Sequence, residues 1–234
     1  GLAAAADLRR RQAPARRSPS TRILVAELSD DDIVRCGQIV VTSAARTVVD
    51  CARSLPPRDA LAIADAAVRR ELATSAQLAS AVDRLQGRPG AVLARRVLAL
   101  CDPRRETPLE SWSAWTFQEL DVPTPLWQAT LCDEDGAFLG RPDGWWESGV
   151  AGEADGRAKY RLAALERGGL TGESLAQVLD DERARELRLR RAGVVVVRWS
   201  ADDVLVPARA SALARDLRRQ IARGGDFRGK VVLL

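Results

Sequence analysis

The sequence predicts an α/β protein in which a smaller, mainly helical N-terminal region precedes a C-terminal core with the element order α, β, β, β, α, β. Three observations carry this reading. After Thr107, segments with helical apolar spacing alternate with segments dense in β-branched residues. Thr107, Pro108 and Glu110 make a sharp helix start: a capping hydroxyl, a proline at the first helical position and an acid three residues after the cap. The stretch "LCDPRRETP", Leu100 to Pro108, breaks the helical pattern with two prolines and a charge run. It sets a boundary between residues 21–103 and 104–225.

Residues 1–20 join "RRR" (Arg9 to Arg11) to "APARRSPS", a basic tail expected to be mobile. "RILVAEL" and "GQIVVTS" read as two short strands. Thr42 or Ser43 can cap a helix carrying Val48, Val49 and Ala52. Pro56 and Pro57 end it and open another through Leu61, Ile63 and Val68. A third helix is expected near Ser75–Leu85 and a fourth from about Gly90 to Leu100.

Past the boundary comes the helix "LESWSAWTFQEL". It is followed by strand-like "PLWQATLCD", the turn "DEDGA", strand-like "FLGRPDGWW", the turn "ESG" and strand-like "VAGEAD". A long helix is expected over roughly Ser174–Arg191, with Leu175, Val178, Leu179 and Leu187 on its apolar side. Asp181 with Arg185 and Glu186 with Arg190 pair on its wet side. Gly193 stops it. "VVVVRW", Val194 to Trp199, has the unbroken apolar character of a strand buried on both faces, and a last helix begins near Pro207.

The composition limits the function classes. With 46% hydrophobic and 29% charged residues, the 234-residue chain falls in the range of folded, water-exposed domains. No apolar run approaches the roughly 20 residues of a membrane-spanning helix, and "GLAAAADL" is too short for a secretory leader. Cys36, Cys51, Cys101 and Cys132 are scattered, without a CxxC pair and without any histidine, which argues against zinc and for reduced thiols in a cytoplasmic protein. A net charge of +4 permits nucleic-acid binding without demanding it.

The stretch "GEADGRAKY", Gly152 to Tyr160, holds the chemistry. If the turn between the second and third core strands centres near Ser148, antiparallel counting sets Asp143 opposite Glu153. Opposed carboxylates destabilise a sheet unless something positive compensates. Asp155 would share the face of Glu153 if the strand stays regular that far. Carboxylates without histidine or thiolate favour hard cations such as Mg or Mn. Such an ion suits phosphodiester hydrolysis. Lys159, one of only two lysines in the chain, could then steady developing negative charge. A bland alternative stands beside this, since acid pairs also occur on solvated strands. Trp112, Trp115, Trp127 and Trp199 are expected in the core. Trp145 and Trp146 must point to opposite faces, which leaves at least one for a surface contact.

Element order and motif together resemble the PD-(D/E)xK nuclease superfamily over about Glu106 to Val204. Within it, "RPDGWW", "GEADGRAKY" and "DDERARELRLRRAGVVVVRWSADDV" look most like the domain related to very-short-patch-repair endonucleases. That domain is found in bacterial proteins described as AbiEi-type antitoxins. "GQIVVTSAARTVVDCARSLPPRDALAIADAAVRR" looks like the segment preceding it in those proteins. The resemblance implies a restriction-endonuclease-like core with Asp143 and Glu153 as catalytic metal ligands and Glu110 as an auxiliary acid. Asp155 stands where the superfamily has its lysine, and Lys159 would substitute from a displaced position. Longer relatives would carry an N-terminal winged helix, which no pattern before Thr21 suggests here.

Two functions are therefore expected. The first is a metal-dependent DNA endonuclease or nicking enzyme with Asp143, Glu153, Asp155 and Glu110 around Mg or Mn and Lys159 assisting. The second is a catalytically degenerate, antitoxin-like or DNA-binding regulator with a possible toxin partner. Arg157 is a phosphate candidate in either, and Arg141 either contacts phosphate or pairs with Asp143.

Overall fold

A computed structural model describes residues 17–18, 21–22, 26–155 and 183–233. Arg17–Ser18 and Thr21–Arg22 pair as a minimal antiparallel ladder. Strands β1 (Ile33–Cys36) and β2 (Ile39–Thr42) then form a hairpin whose two-residue turn places Gly37 at φ +61°. This corrects one expectation: "GQIVVTS" pairs with Ile33–Cys36, while Ala26–Ser29 has no regular structure. Two-residue hairpin loops need positive φ, and Gly37 supplies it, so the partner strand is the segment immediately before that glycine.

Helices α1 (Ala44–Ser54), α2 (Pro57–Arg69), α3 (Ser75–Asp83) and α4 (Ala91–Ala99) follow the predicted starts closely. The Ser43 hydroxyl accepts the Arg46 N–H at 3.3 Å, Pro57 opens α2, and Thr74 and Gln77 cap α3 reciprocally. Helix α5 (Pro108–Glu119) opens on Thr107 as expected.

The next two predicted strands are each broken in two. The first becomes β3 (Leu126–Trp127) and β4 (Thr130–Cys132), with Gln128 at φ +58° between them. The second becomes β5 (Phe138–Gly140) and β6 (Gly144–Trp146), separated by Arg141–Asp143. Pro142 lacks the N–H a continuous ladder would need. Strand β7 (Val150–Ala154) completes the set, residues 183–191 form helix α6, and β8 (Val195–Trp199) follows. The chain closes through α7 (Ala201–Leu205), α8 (Pro207–Arg223) and β9 (Lys230–Val232). Leu175, Val178, Leu179 and Asp181 lie outside the described residues.

The breaks divide the strands between two sheets. One runs β8-β7-β6-β3, with β8 parallel to β7 and the other neighbours antiparallel; the other runs β9-β4-β5. Among the described residues β8 comes last in this sheet; Val197 and Trp199 are buried, but Arg198 is exposed, so one of its faces is open at that position, unlike the strand buried on both faces that the apolar run suggested.

Both faces of the four-stranded sheet are covered. On one side Trp146, Trp199 and Val150 join a large cluster that runs through α5 to Val49, Leu61 and Val97 of the N-terminal helices. The apolar core is therefore continuous across the predicted boundary near residue 104. On the other side Trp145 and Ala151 pack with Leu131, Leu189 and Val194. Trp145 and Trp146 do point to opposite faces, yet they are only 2% and 4% exposed, so neither is free for a surface contact. Phe227, from the segment after α8, closes over Trp145 with ring centroids 5.1 Å apart. On α6 the buried leucine is Leu189, whereas Leu187 is 48% exposed, a further correction. Among the described residues no helix is long and apolar enough to cross a membrane, and all four cysteines are free.

A buried ion pair fastens the two parts. Asp65 of α2 accepts Arg105 Nε at 2.7 Å and Nη2 at 2.9 Å, the Ser111 hydroxyl at 2.7 Å and the Asp102 N–H at 2.8 Å. Arg105 also donates to the Leu100 carbonyl and lies over the Trp127 ring. Burial, reinforced by Asp65, pushes the neighbouring Cys101 thiol up to about 12, which keeps it protonated and unreactive. Arg105→Ala would leave Asp65 charged and buried. It is expected to cost about 3–5 kcal/mol in urea unfolding. A loss below about 1 kcal/mol would show that the pair does not fasten the junction.

Candidate functional site

The β6–β7 turn closes at Gly149, whose N–H donates to the Trp146 carbonyl at 3.0 Å and whose φ is +84°. From there the register is Trp146↔Val150, Trp145↔Ala151 and Gly144↔Gly152. The next positions outward are Asp143 and Glu153, the opposition that counting from Ser148 predicted. Gly152 fixes which face each takes. A Cβ there would lie 2.5 Å from the Trp199 ring and 3.0 Å from Trp146, so this position must face the large core without a side chain. Glu153, one residue on, faces the other way.

Glu153 is 7% exposed and receives Arg185 Nη2 at 3.1 Å. Arg185 comes from α6 with its stem over Gly140, and it reaches toward the Arg141 carbonyl at 3.5 Å. Asp143 is half-buried. Its Oδ2 accepts the Ala154 N–H at 2.7 Å, and its carbonyl accepts the Gln128 N–H at 2.9 Å. The bend at Gln128 therefore holds the Asp143 backbone.

Glu110, on the first turn of α5, is almost wholly buried. Its Oε1 accepts the Thr107 hydroxyl at 2.7 Å, and its Oε2 accepts the Glu106 N–H at 2.9 Å and Gln128 Nε2 at 3.0 Å. Both oxygens are engaged in capping α5 and tying it to the bend, which favours the capping role over that of a ligand. Burial and the nearby Asp143 carboxylate push its pKa up against these hydrogen bonds.

The other candidates fall as follows. Asp155 lies one residue past the end of β7 and is exposed, with its N–H on the Trp199 carbonyl at 2.7 Å. Arg141 pairs with Glu106 at 2.8 Å, rather than with Asp143 as one expectation had it. Arg157 and Lys159 lie outside the described residues. The geometry thus brings Glu110 near Asp143, while Glu153 faces Arg185 of α6 and Arg141 lies at the margin on Glu106.

Two residues at this site escaped the sequence reading. Gln128 gave no signal. Arg185 gave one: it sits one helical turn before Leu189, on the side of α6 that turns inward. Its neighbour Glu186 is taken by Arg190 at 2.7 Å and Arg198 at 3.0 Å.

Oxygen donors alone suit a hard cation. Among the described residues, no group of three or more Asp, Glu, Cys or His side chains is placed to hold a metal ion.

Two uncharacterized proteins of Mycobacterium tuberculosis, from strains CDC 1551 / Oshkosh and ATCC 25618 / H37Rv, are each 28% identical to the chain over 206 residues. The match covers 87% of this chain and 71% of theirs. No family model matches the chain, and no solved structure matches it significantly.

The raised pKa of Glu110 has a sign that can be checked. A carboxyl whose folded pKa exceeds its unfolded value, about 4.5, stabilises the fold in its neutral form; that contribution is complete below 4.5 and is lost as pH rises through the folded value. Glu110→Gln is neutral throughout. Wild type should therefore lose stability relative to this variant as pH rises above about 4.5, measured by urea unfolding. A difference independent of pH would refute the shift.

Proposed function

We propose that the chain is a nuclease-fold protein of the PD-(D/E)xK kind that uses Mg or Mn to hydrolyse phosphodiester bonds in DNA. The observation that carries this is the β6–β7 register, which ends at Gly144↔Gly152 and makes Asp143 and Glu153 the next residues beyond it on the two strands, in a chain that runs from α5 through five short strands to α6 and β8. The likeness of "RPD" and "GEAD" to that superfamily supports the same reading.

The residues present suit the ion. Mg is commonly held by one or two carboxylates, with waters and substrate phosphate completing its shell, so Asp143 and Glu153 suffice without a third protein ligand. When bound, the ion would polarise a phosphoryl oxygen and make a bound water more acidic. Asp143 is steadied for this by the Ala154 N–H, and Glu153 by its place in β7. Glu110 holds the bend that carries Asp143 and so acts as a positioning residue. Arg141 lies exposed at the margin, where a phosphate can reach it. Arg157 and Lys159 remain candidates for the same electrostatic work, and Asp155 for a water-mediated contact.

One observation favours a second reading, a non-cutting DNA-binding or antitoxin-like module with a toxin partner. Asp155 occupies the superfamily's lysine position, where a cation would be expected. The readings separate with supercoiled DNA and Mg or Mn. Nicking by wild type that drops about 100-fold or more in both Asp143→Asn and Glu153→Gln supports hydrolysis. Equal cutting by wild type and both variants refutes it. DNA binding without any cutting selects the second reading.

A further inference from the structure

Resting on the metal-dependent reading, we propose that Arg185 is a resident counter-ion of Glu153. It neutralises Glu153 until a divalent cation takes that carboxylate, and its guanidinium is then passed to a substrate phosphate. The argument starts from burial. Glu153 is 7% exposed, and a carboxylate so placed must be matched by positive charge. Among the described residues, the cation seen on it is Arg185, at 3.1 Å. It comes from α6, a different element from the strand end where Asp155 stands.

The nearer arginine by register is Arg198, which pairs directly with Glu153 across β7 and β8. Its guanidinium is nevertheless drawn to Glu186 on α6, at 3.0 Å, and Arg190 holds the same carboxylate at 2.7 Å. With Glu186 engaged by these two, its neighbour Arg185 turns to Glu153. Arg190 and Arg198 are thus held by Glu186, and the Arg185 guanidinium goes to Glu153.

Arg185 is also placed to leave. Its side chain is 27% exposed against 9% for Glu153, so the guanidinium has a route to solvent that the carboxylate lacks. Its stem crosses Gly140, with Cγ and Cδ 3.5 and 3.6 Å from where a Cβ there would stand. Its Nη1 already reaches toward the carbonyl of Arg141, whose own guanidinium lies at the rim on Glu106. Two forks flank the acids, and a fork matches a phosphate as well as it matches a carboxylate. A divalent ion and a guanidinium compete for the same Glu153 oxygens, so metal arrival and phosphate capture become linked events.

The test titrates the full chain with Mn by calorimetry, without nucleic acid. Removing the competitor in Arg185→Gln should tighten Mn binding about tenfold, equivalent to about 1.4 kcal/mol. Arg185→Lys, which keeps the charge but not the fork, should fall between wild type and Gln, and it carries the test if the Gln variant does not fold. With Mn and a short DNA duplex, Arg185→Gln should lower the log–log salt slope by about one unit. Mn binding that is lost in Asp143→Asn but equal in wild type and the Arg185 variants overturns the counter-ion role and leaves the metal reading standing. An unchanged salt slope overturns the transfer to phosphate. No Mn binding by wild type or either Arg185 variant overturns both readings together.

Discussion

The contact between the Trp199 ring and Gly152 decides most of what this fold can do. Two strands can pair in register and still present either set of alternate residues to a given layer. Here the indole lies so close to the Gly152 backbone that no Cβ fits, while its Nε1–H reaches the Ser113 hydroxyl of α5 at 2.7 Å and Phe117 meets it edge-on at 5.3 Å. This ring, strand and helix arrangement commits Gly152 to the α5 side. Glu153 is thereby committed to the α6 side, where Arg185 waits. A buried carboxylate is an outcome of that commitment rather than an accident of the strand.

The chain handles buried charge by one rule in its structural regions. Asp65 is matched by Arg105. Asp32 is matched by Arg46 and Arg84, each at 3.0 Å. Burial works against its ionised form, yet the Ser29 N–H and the two guanidinium groups outweigh it and hold the acid below its usual range. At the sheet's end the pattern changes. Glu110 lies close enough to Asp143 for like charge to weaken its acidity, and its partners are neutral donors. Structural acids in this protein meet arginines. At the candidate site Glu110 and Asp143 also lie near one another, an arrangement in which functional carboxylates are found more often than structural ones.

Much of this was legible in the sequence, and what was not has physical reasons. Caps are local, so Ser43 and Thr107 announced their helices within a few residues. The β6–β7 register was also local, because the turn at Ser148 and a period of two determine it. Long-range cover was invisible. Nothing near Trp145 says that Phe227, more than eighty residues later, will close over it. Nothing in "VVVVRW" says that Arg198 is exposed, since exposure within a strand depends on what packs over it. The breaks at Gln128 and Arg141–Asp143 were hidden because a positive φ at glutamine has no compositional mark, and Pro142 was read as part of a motif rather than as a missing donor. Arg185 was assigned to the wet side because Leu187, not Leu189, was taken as the inward residue of α6.

The inward seating of Leu189 bears on how Glu153 meets positive charge. In the superfamily on which the proposed function rests, a lysine two residues after the strand acid delivers the cation along the same strand, so acid and amine share one backbone and one alternation. Here the strand ends at Ala154, and Asp155 turns out to solvent with its backbone pinned to Trp199. A lysine substituted there would begin from an exposed position beyond the ladder, no longer held by strand alternation on the face of Glu153. The guanidinium of Arg185, reaching down from α6 across Gly140, meets that carboxylate directly. A cation supplied from a second element depends on how that element packs, so the charge on Glu153 is tied to the seating of Leu189 in the smaller core. The chemistry at the sheet's end and the packing beneath α6 are in this sense one constraint, and a motif read along a single strand could register only half of it.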